Sequence, residues 1–291
     1  MAHIDQYLLG YRQAEQEQLQ CQAEMLGDEA RGLFDRIGVF AGARVVEIGC
    51  GPQGTLKLLA ERVGPRGTVT GVERSEEAVL LAREFVVDHK LDNVDVIHSD
   101  GRKTGLPRGA FDLATVRSVL VNVPQPEQIV AEMAELVRPG GIVALYESDY
   151  SGFICDPPLP AWDEVIDLLR TYSSRNGIDP FIGRQISRLL REAGLIDIQV
   201  VPIVRNSPQG HVHRSLLPHF AENLRERLVA QKIVGNDELD DLISKLRCHL
   251  DDPHTLVMGG LFFQAWGRRP VRYKWPLVKY INCVVSAERL K

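Results

Sequence analysis

The stretch that most restricts the fold is Val45 to Gly54, VVEIGCGPQG. An apolar run leads into an acid, Glu47, and then into Gly49, Gly51 and Gly54, the spacing at which a β-strand turns tightly into a helix. Glycine is needed there because the turn uses backbone angles that a Cβ disfavours. A side chain would also keep a ligand away from the exposed N–H groups at the helix start. Taken alone, G-x-G-x-x-G is shared by several nucleotide-binding families. Glu47, two residues before the first glycine, narrows the reading.

Downstream the pattern repeats. Runs suited to strands at 44–48, 68–72, 94–98, 113–116 and 142–147 alternate with helical stretches at 55–63, 75–89 and 127–137. This alternation predicts a parallel sheet with helices on both faces, a doubly wound α/β domain. The ligand of such a sheet sits at the carboxyl ends of the strands, where strand order reverses. After residue 147 the regularity loosens: Pro157, Pro158 and Pro160 mark a loop, helices are expected over 161–172 and 183–193, and a strand over 196–204. Residues 215–250 read as a charged helical insertion split near Gly235 and Asn236, before an apolar strand over 256–266. An insertion between the last two strands would lie above the ligand edge as a cap. Upstream, residues 4–26 and 28–37 predict two helices that either pack on the core or form a lid carrying Tyr7, Tyr11 and Gln22. The expected division is a helical lid over 1–40, an α/β core over 41–210 and 253–270, a cap over 211–252, and a basic, apolar tail over 271–291.

With 291 residues, 44% hydrophobic and 25% charged, the chain can bury a full core without staples and has an ordinary globular balance. A net charge of -5 gives no general attraction to polyphosphates, so nucleic acid is a disfavoured partner. Cys21, Cys50, Cys155, Cys248 and Cys283 are scattered and lack C-x-x-C spacing. They suit reduced thiols better than a disulfide frame or a zinc site, and no metal is expected. The N-terminus has no basic segment followed by an apolar one, and no run approaches about 18 apolar residues. A cytoplasmic protein without a membrane span is the expectation.

A carboxylate at the end of the second strand can accept hydrogen bonds from both hydroxyls of a ribose, and Glu73 in VTGVERS stands there. Asp100, in VIHSDGRKTGLP, follows the third strand, where its side chain can accept from an adenine amino group; Asp-Gly pairs also make ordinary turns. Together VVEIGCGPQG, VTGVERS, HSDGRKTGLP, FDLATVRSVLVNV and ELVRPGGIVALYE resemble the class I S-adenosylmethionine-dependent methyltransferases, and QAWGRRP fits that family's last sheet strand. The N-terminal YLLGYRQAEQEQLQCQAEML is similar to the lead helix of the ubiquinone and menaquinone methyltransferase-like branch, natural-product members included.

The resemblance implies a mostly parallel, Rossmann-like sheet of seven strands, with S-adenosylmethionine as cofactor and S-adenosylhomocysteine as product. It implies that Glu47 orients the glycine loop and the cofactor's amino group, while Gly49, Cys50 and Gly51 pass beneath the methionine and ribose. Glu73, with Arg74 beside it, would hold the ribose hydroxyls, and Asp100 and Gly101 would meet the adenine edge. Arg117 and Ser118 would line the methionine side, with Tyr11 and Gln22 closing over the cofactor. Gln53 departs from the pattern, since the family often has a small residue there.

Methyl transfer from a sulfonium is an in-line displacement. The protein must align the reactants, exclude water and, where needed, remove a proton. Glu147, Asp149 and Tyr150 in YESDYSG, at the end of the fifth strand, are the expected acceptor-side groups. His211, His213 and His219 in QGHVHRSLLPHF follow as candidate bases. The H-x-H pair lacks an evident third metal ligand. The expected activity is methyl transfer to a small, partly apolar molecule in secondary metabolism. A nicotinamide-dependent oxidoreductase shares the glycine pattern and a later acid, and a non-catalytic S-adenosylmethionine-binding regulatory protein could share the fold. Glu47 and the RPGG turn favour methyl transfer. The lack of Asn/Asp-Pro-Pro-Tyr after the fourth strand argues against amino-methylation of nucleic acid. Self-association through the N-terminal helices or the cap stays open.

Overall fold

The computed structural model describes residues 27–271. Tyr7, Tyr11, Gln22 and the tail past Val271 lie outside the described residues, so the expectations placed on them are not addressed by it. The first described helix, α1 (Gly27–Ile37), buries Ala30, Leu33, Phe34 and Ile37, one stripe at helical spacing. Five strands then follow, with an α-helix between each pair except β3 and β4: β1 (Arg44–Ile48), α2 (Leu56–Val63), β2 (Thr68–Glu73), α3 (Glu76–Asp88), β3 (Val94–His98), β4 (Phe111–Arg117), α4 (Pro126–Leu136) and β5 (Val137–Asp156). The rest is α5 (Pro160–Arg175), α6 (Ile186–Glu192), β6 (Ile196–Asn206), α7 (Leu216–Asn223), α8 (Arg225–Ala230), α9 (Asn236–Asp251) and β7 (Leu256–Arg268).

All seven strands join one sheet in the order β3-β2-β1-β4-β5-β7-β6. The pairs among β1 to β5 are parallel, while β7 runs antiparallel to both β5 and β6. The doubly wound, mostly parallel seven-stranded sheet expected from the sequence is therefore the one observed. Strand order reverses between β1 and β4, which opens a crevice at their carboxyl ends. One buried cluster packs Ile129, Val130 and Met133 of α4 with α5, α6 and the cap helices. A second, containing Leu33, Phe34, Leu56, Leu59 and Val79, joins α1, α2 and α3.

Two departures from the sequence reading matter for the site. β5 runs far past Glu147, because β7 continues to pair with it as far as Asp156↔Leu256, with a register shift between Asp149 and Phe153. Long-range pairing sets that strand's length, and the local apolar run does not show it. The insertion before β7 breaks at Leu224 as well as before Asn236. Its two ends are tied together by Arg214, whose buried guanidinium donates to the carbonyls of Ser207, Leu250, Asp252 and Thr255 at 2.8–3.1 Å. No helix among the described residues is long and apolar enough to cross a membrane.

Candidate functional site

The glycine loop leaves β1 with three left-handed residues, Gly49 (φ 67°), Gly51 (φ 55°) and Gly54 (φ 47°). Each is held for a different reason. A Cβ on Gly49 would stand 2.4 Å from Val119 Cγ2, and one on Gly54 would stand 2.7 Å from the Cys50 carbonyl and 2.8 Å from Glu47 Oε2. A Cβ on Gly51 would meet nothing within 4 Å, so what it would enter is open space. Glu47 sets the far end of the loop. Its buried carboxylate accepts from the Thr55 N–H at 2.9 Å and from the Thr55 hydroxyl at 2.8 Å, fixing the residue that precedes α2. Burial pushes the Glu47 carboxyl up to about 7, against the opposing pull of Arg117 and the Thr55 bonds.

Glu73 closes the loop from the second strand. Its Oε2 accepts from Gly51 N at 3.0 Å and its Oε1 from the N–H groups of Arg74 and Ser75 at 2.7 and 2.8 Å. The residue at the predicted ribose position thus also braces the loop. Asp100 is held differently: its two oxygens grip the Arg102 side chain, and the arginine's bonds and charge lower its pKa although burial opposes them. Arg117 donates to the Gly54 carbonyl at 3.2 Å, and Ser118 follows it with φ 53°. These residues, with Cys50, Arg74 and Gly101, border one cavity of about 660 Å³ at the switch point.

The cavity runs on beneath the inserted helices. Tyr150 and Phe153 from β5, His213, Leu216, Phe220 and Arg227 from the insertion, and Phe262 from β7 line this second end. Tyr150 is stacked on Phe220 with centroids 5.9 Å apart and meets Phe153 edge-on at 5.2 Å. Burial, with the charge of Glu147 nearby, raises the Tyr150 phenol.

Three of the acceptor-side expectations are corrected here. Glu147 does not line the cavity: it is fully enclosed and accepts the N–H groups of Val119, Leu120 and Val121 at 3.0, 2.9 and 3.2 Å. It clamps the turn after β4, and its burial pushes its carboxyl up to about 7. Asp149 points to the other side and is held by Arg184 and Ser151. His211 turns back on its own segment, accepting from His213 N at 3.3 Å. Its neighbour His213 takes the cavity position, with an imidazole that burial, His211 and Arg205 pull down to about 4. His219 is half-buried, and burial lowers its pKa too, but it lies off the lining.

Ser148, Phe153, Phe220, Arg227 and Phe262 were not anticipated. For the insertion residues a signal existed: Leu216, Phe220 and Arg227 fall at helical spacing. For β7 it was the paired glycines in MGGLF, which in a strand mark close approach. There a Cβ on Gly259 would stand 3.3 Å from Ser207 Oγ and 3.6 Å from His213 Cβ.

Residues 46–145 match the family described as a methyltransferase domain. A demethylmenaquinone methyltransferase of Listeria monocytogenes is 30% identical over 151 residues, which are 52% of this chain and 59% of the relative. The chain therefore spans less than two thirds of that relative's length. Among solved structures, phosphoethanolamine N-methyltransferase 2 of Haemonchus contortus, in complex with phosphomonomethylethanolamine and S-adenosylhomocysteine, superimposes with a TM-score of 0.53 at 19% identity, covering 84% of this chain and 53% of that one. A putative methyltransferase of Bacillus halodurans gives 0.55 at 16% identity, covering 84% of this chain and 100% of that one. These two likenesses speak to the fold.

Proposed function

We propose that the chain is a class I S-adenosylmethionine-dependent methyltransferase of the menaquinone and ubiquinone methyltransferase-like branch, a reading supported by the methyltransferase-domain match and the demethylmenaquinone methyltransferase relative, and that it methylates a small, partly apolar molecule. A single observation carries this reading. One continuous cavity joins the glycine loop, Glu73 and Asp100 to an aromatic chamber roofed by the inserted helices. We place the reaction in secondary metabolism. A demethylmenaquinone-like ring is the acceptor type that the named relatives suggest, and Phe153, Phe220 and Phe262 offer apolar walls to such a ring.

The residues present fit the cofactor. The missing side chain of Gly51 leaves open space, and the Glu73 carboxylate, bordering the same cavity, accepts three backbone N–H groups and keeps an acceptor site for a ribose hydroxyl. Bound there, the sulfonium supplies the methyl group and leaves as a neutral thioether. Everything else falls to the chain. Glu47 and Thr55 hold the loop; Glu73 would hold the ribose, and Asp100 with Gly101 would meet the adenine. Arg117 and Ser118 would line the methionine side, while Tyr150, Phe153 and Phe220 would exclude water and orient the acceptor for in-line attack. His213, neutral at physiological pH, accepts a hydrogen bond from the acceptor; a base this weak positions a hydroxyl better than it ionises one.

The rival nicotinamide reading fits the sheet less well. A dinucleotide-binding sheet of the Rossmann kind runs 3-2-1-4-5-6, whereas here an antiparallel β7 enters between β5 and β6. Thermal unfolding with S-adenosylhomocysteine or NAD separates the two. A ligand at about 100 times its Kd stabilises by about 2.7 kcal/mol. Stabilisation by NAD and not by S-adenosylhomocysteine overturns the proposal. Release of S-adenosylhomocysteine from methyl-labelled donor with ring-bearing acceptors distinguishes an enzyme from a non-catalytic binder.

A further inference from the structure

The two ends of the cavity differ in their charged groups, the cofactor end carrying both carboxylates and the guanidiniums of Arg74, Arg102 and Arg117. Its lining carboxylates, Glu47, Glu73, Glu77 and Asp100, all come from the segments around β1, β2 and β3 and lie at the cofactor end. The acceptor end has none among the described residues, because Glu147 is enclosed beneath the turn after β4 and Asp149 is paired with Arg184. What the insertion brings there is a cation. Arg227, on α8, lines the chamber, and its Nη1 is buried without a hydrogen-bond partner. No described carboxylate forms an ion pair with it; the neighbouring Arg225 takes both Glu222 and Asp240.

Buried donors without acceptors are costly, and a guanidinium more so than an amide. An unpartnered guanidinium nitrogen lining a chamber that lacks carboxylates describes a receptor for an oxygen anion that arrives with the substrate. Charge balance points the same way. The donor would be a cation, and a negatively charged acceptor would let the reacting pair occupy the cavity without net charge.

Resting on the methyltransferase reading of this cavity, we infer that the methyl acceptor is an aromatic oxyanion, a ring-bearing carboxylate or ionised phenol, whose charged oxygen is received by Arg227. Arg227 is then a specificity-determining residue, distinct from the groups that hold the cofactor.

The test uses calorimetry on the full chain saturated with S-adenosylhomocysteine. The probes are benzoate, 1-naphthoate and 2-naphthoate, each against its neutral amide, with wild type, Arg227→Gln and Arg227→Lys. At least one acid should bind wild type roughly tenfold to a hundredfold tighter than its amide, the range of a charge-assisted hydrogen bond. Arg227→Gln should erase that preference, and Arg227→Lys should keep part of it. S-adenosylhomocysteine affinity should stay the same in all three proteins. The inference is overturned if acids and amides bind wild type alike, if no acid binds, or if Arg227→Gln keeps the preference. Loss of S-adenosylhomocysteine binding in Arg227→Gln would move Arg227 to the cofactor site and overturn it as well. Failure of wild type to bind S-adenosylhomocysteine at all sinks the methyltransferase reading itself.

Discussion

Replacing Glu147 separates a clamp from a catalytic base. Its two oxygens take three consecutive backbone N–H groups, of Val119, Leu120 and Val121, at a position with no solvent exposure. Glu147→Ala leaves all three without an acceptor. Each buried orphan costs about 1–3 kcal/mol, and water entering the vacated space recovers part, so the net loss should be about 3–5 kcal/mol. For a domain of this size that lowers Tm by about 6–20 °C. Glu147→Gln keeps an oxygen for Val119 and Leu120 and sets its amide group against the Val121 N–H. Because burial already holds the native carboxyl near 7, this isosteric change should cost only about 1 kcal/mol near neutral pH. Urea unfolding measures both, with an unchanged m-value showing that the same surface is exposed. S-adenosylhomocysteine affinity should fall with Glu147→Ala, since the clamped turn borders the cavity at Ser118 and Val119. A Glu147→Ala protein with native stability and native ligand affinity but no turnover would refute the clamp and return Glu147 to the chemistry.

The same carboxyl has a pH signature. Its folded pKa lies above the unfolded value, so its stabilising contribution is complete below about 4.5 and is lost as pH rises through about 7. The stability difference between wild type and Glu147→Gln should therefore shift against wild type across that window in urea titrations; a flat difference contradicts the assigned burial. In the loop, Gly49→Ala forces a Cβ to 2.4 Å from Val119 and should cost about 2 kcal/mol of stability. Gly51→Ala, at φ 55° in open space, should cost about 1 kcal/mol yet weaken S-adenosylhomocysteine tenfold or more by calorimetry; unchanged affinity would mean the loop does not back the cofactor. Arg214→Ala strands four buried carbonyls and should destabilise by about 3–5 kcal/mol. Hydrogen exchange should then speed up first in the cap and at the start of β7, and uniform protection would count against Arg214 as its anchor.

The placement of the residues expected to take the donor was legible because its signals are local. A strand, a turn and a helix start stand within ten residues in VVEIGCGPQG, and the carboxyl ends of β2 and β3 place Glu73 and Asp100 by the same rule. The acceptor half was not, because contacts distant in sequence decide it. A strand buried on both faces gives no alternation to read, so Glu147 and Asp149 were expected in the cavity although both side chains turn into the protein. The choice between His211 and His213 depends on a short 3-10 turn that folds the first imidazole onto its own backbone. Arg227 could be recognised only once the insertion was placed over the crevice.

The matched family segment ends at residue 145, while the chamber's far wall is built from Ser148, Tyr150, His213, Phe220, Arg227 and Phe262. Those residues are positioned by the long β5–β7 pairing and by Arg214, not by the glycine loop. Cofactor binding and acceptor choice should therefore respond to different perturbations. Phe220→Ala removes the ring stacked on Tyr150 without touching any group assigned to the cofactor. It should enlarge the chamber, cost about 3 kcal/mol of stability if no acceptor fills the space, and lower affinity for aromatic acids with little change for S-adenosylhomocysteine. Equal losses for both ligands, measured by calorimetry on the same protein, would show that the cap and the glycine loop act as one site, and acceptor choice could then no longer be read from the cap alone.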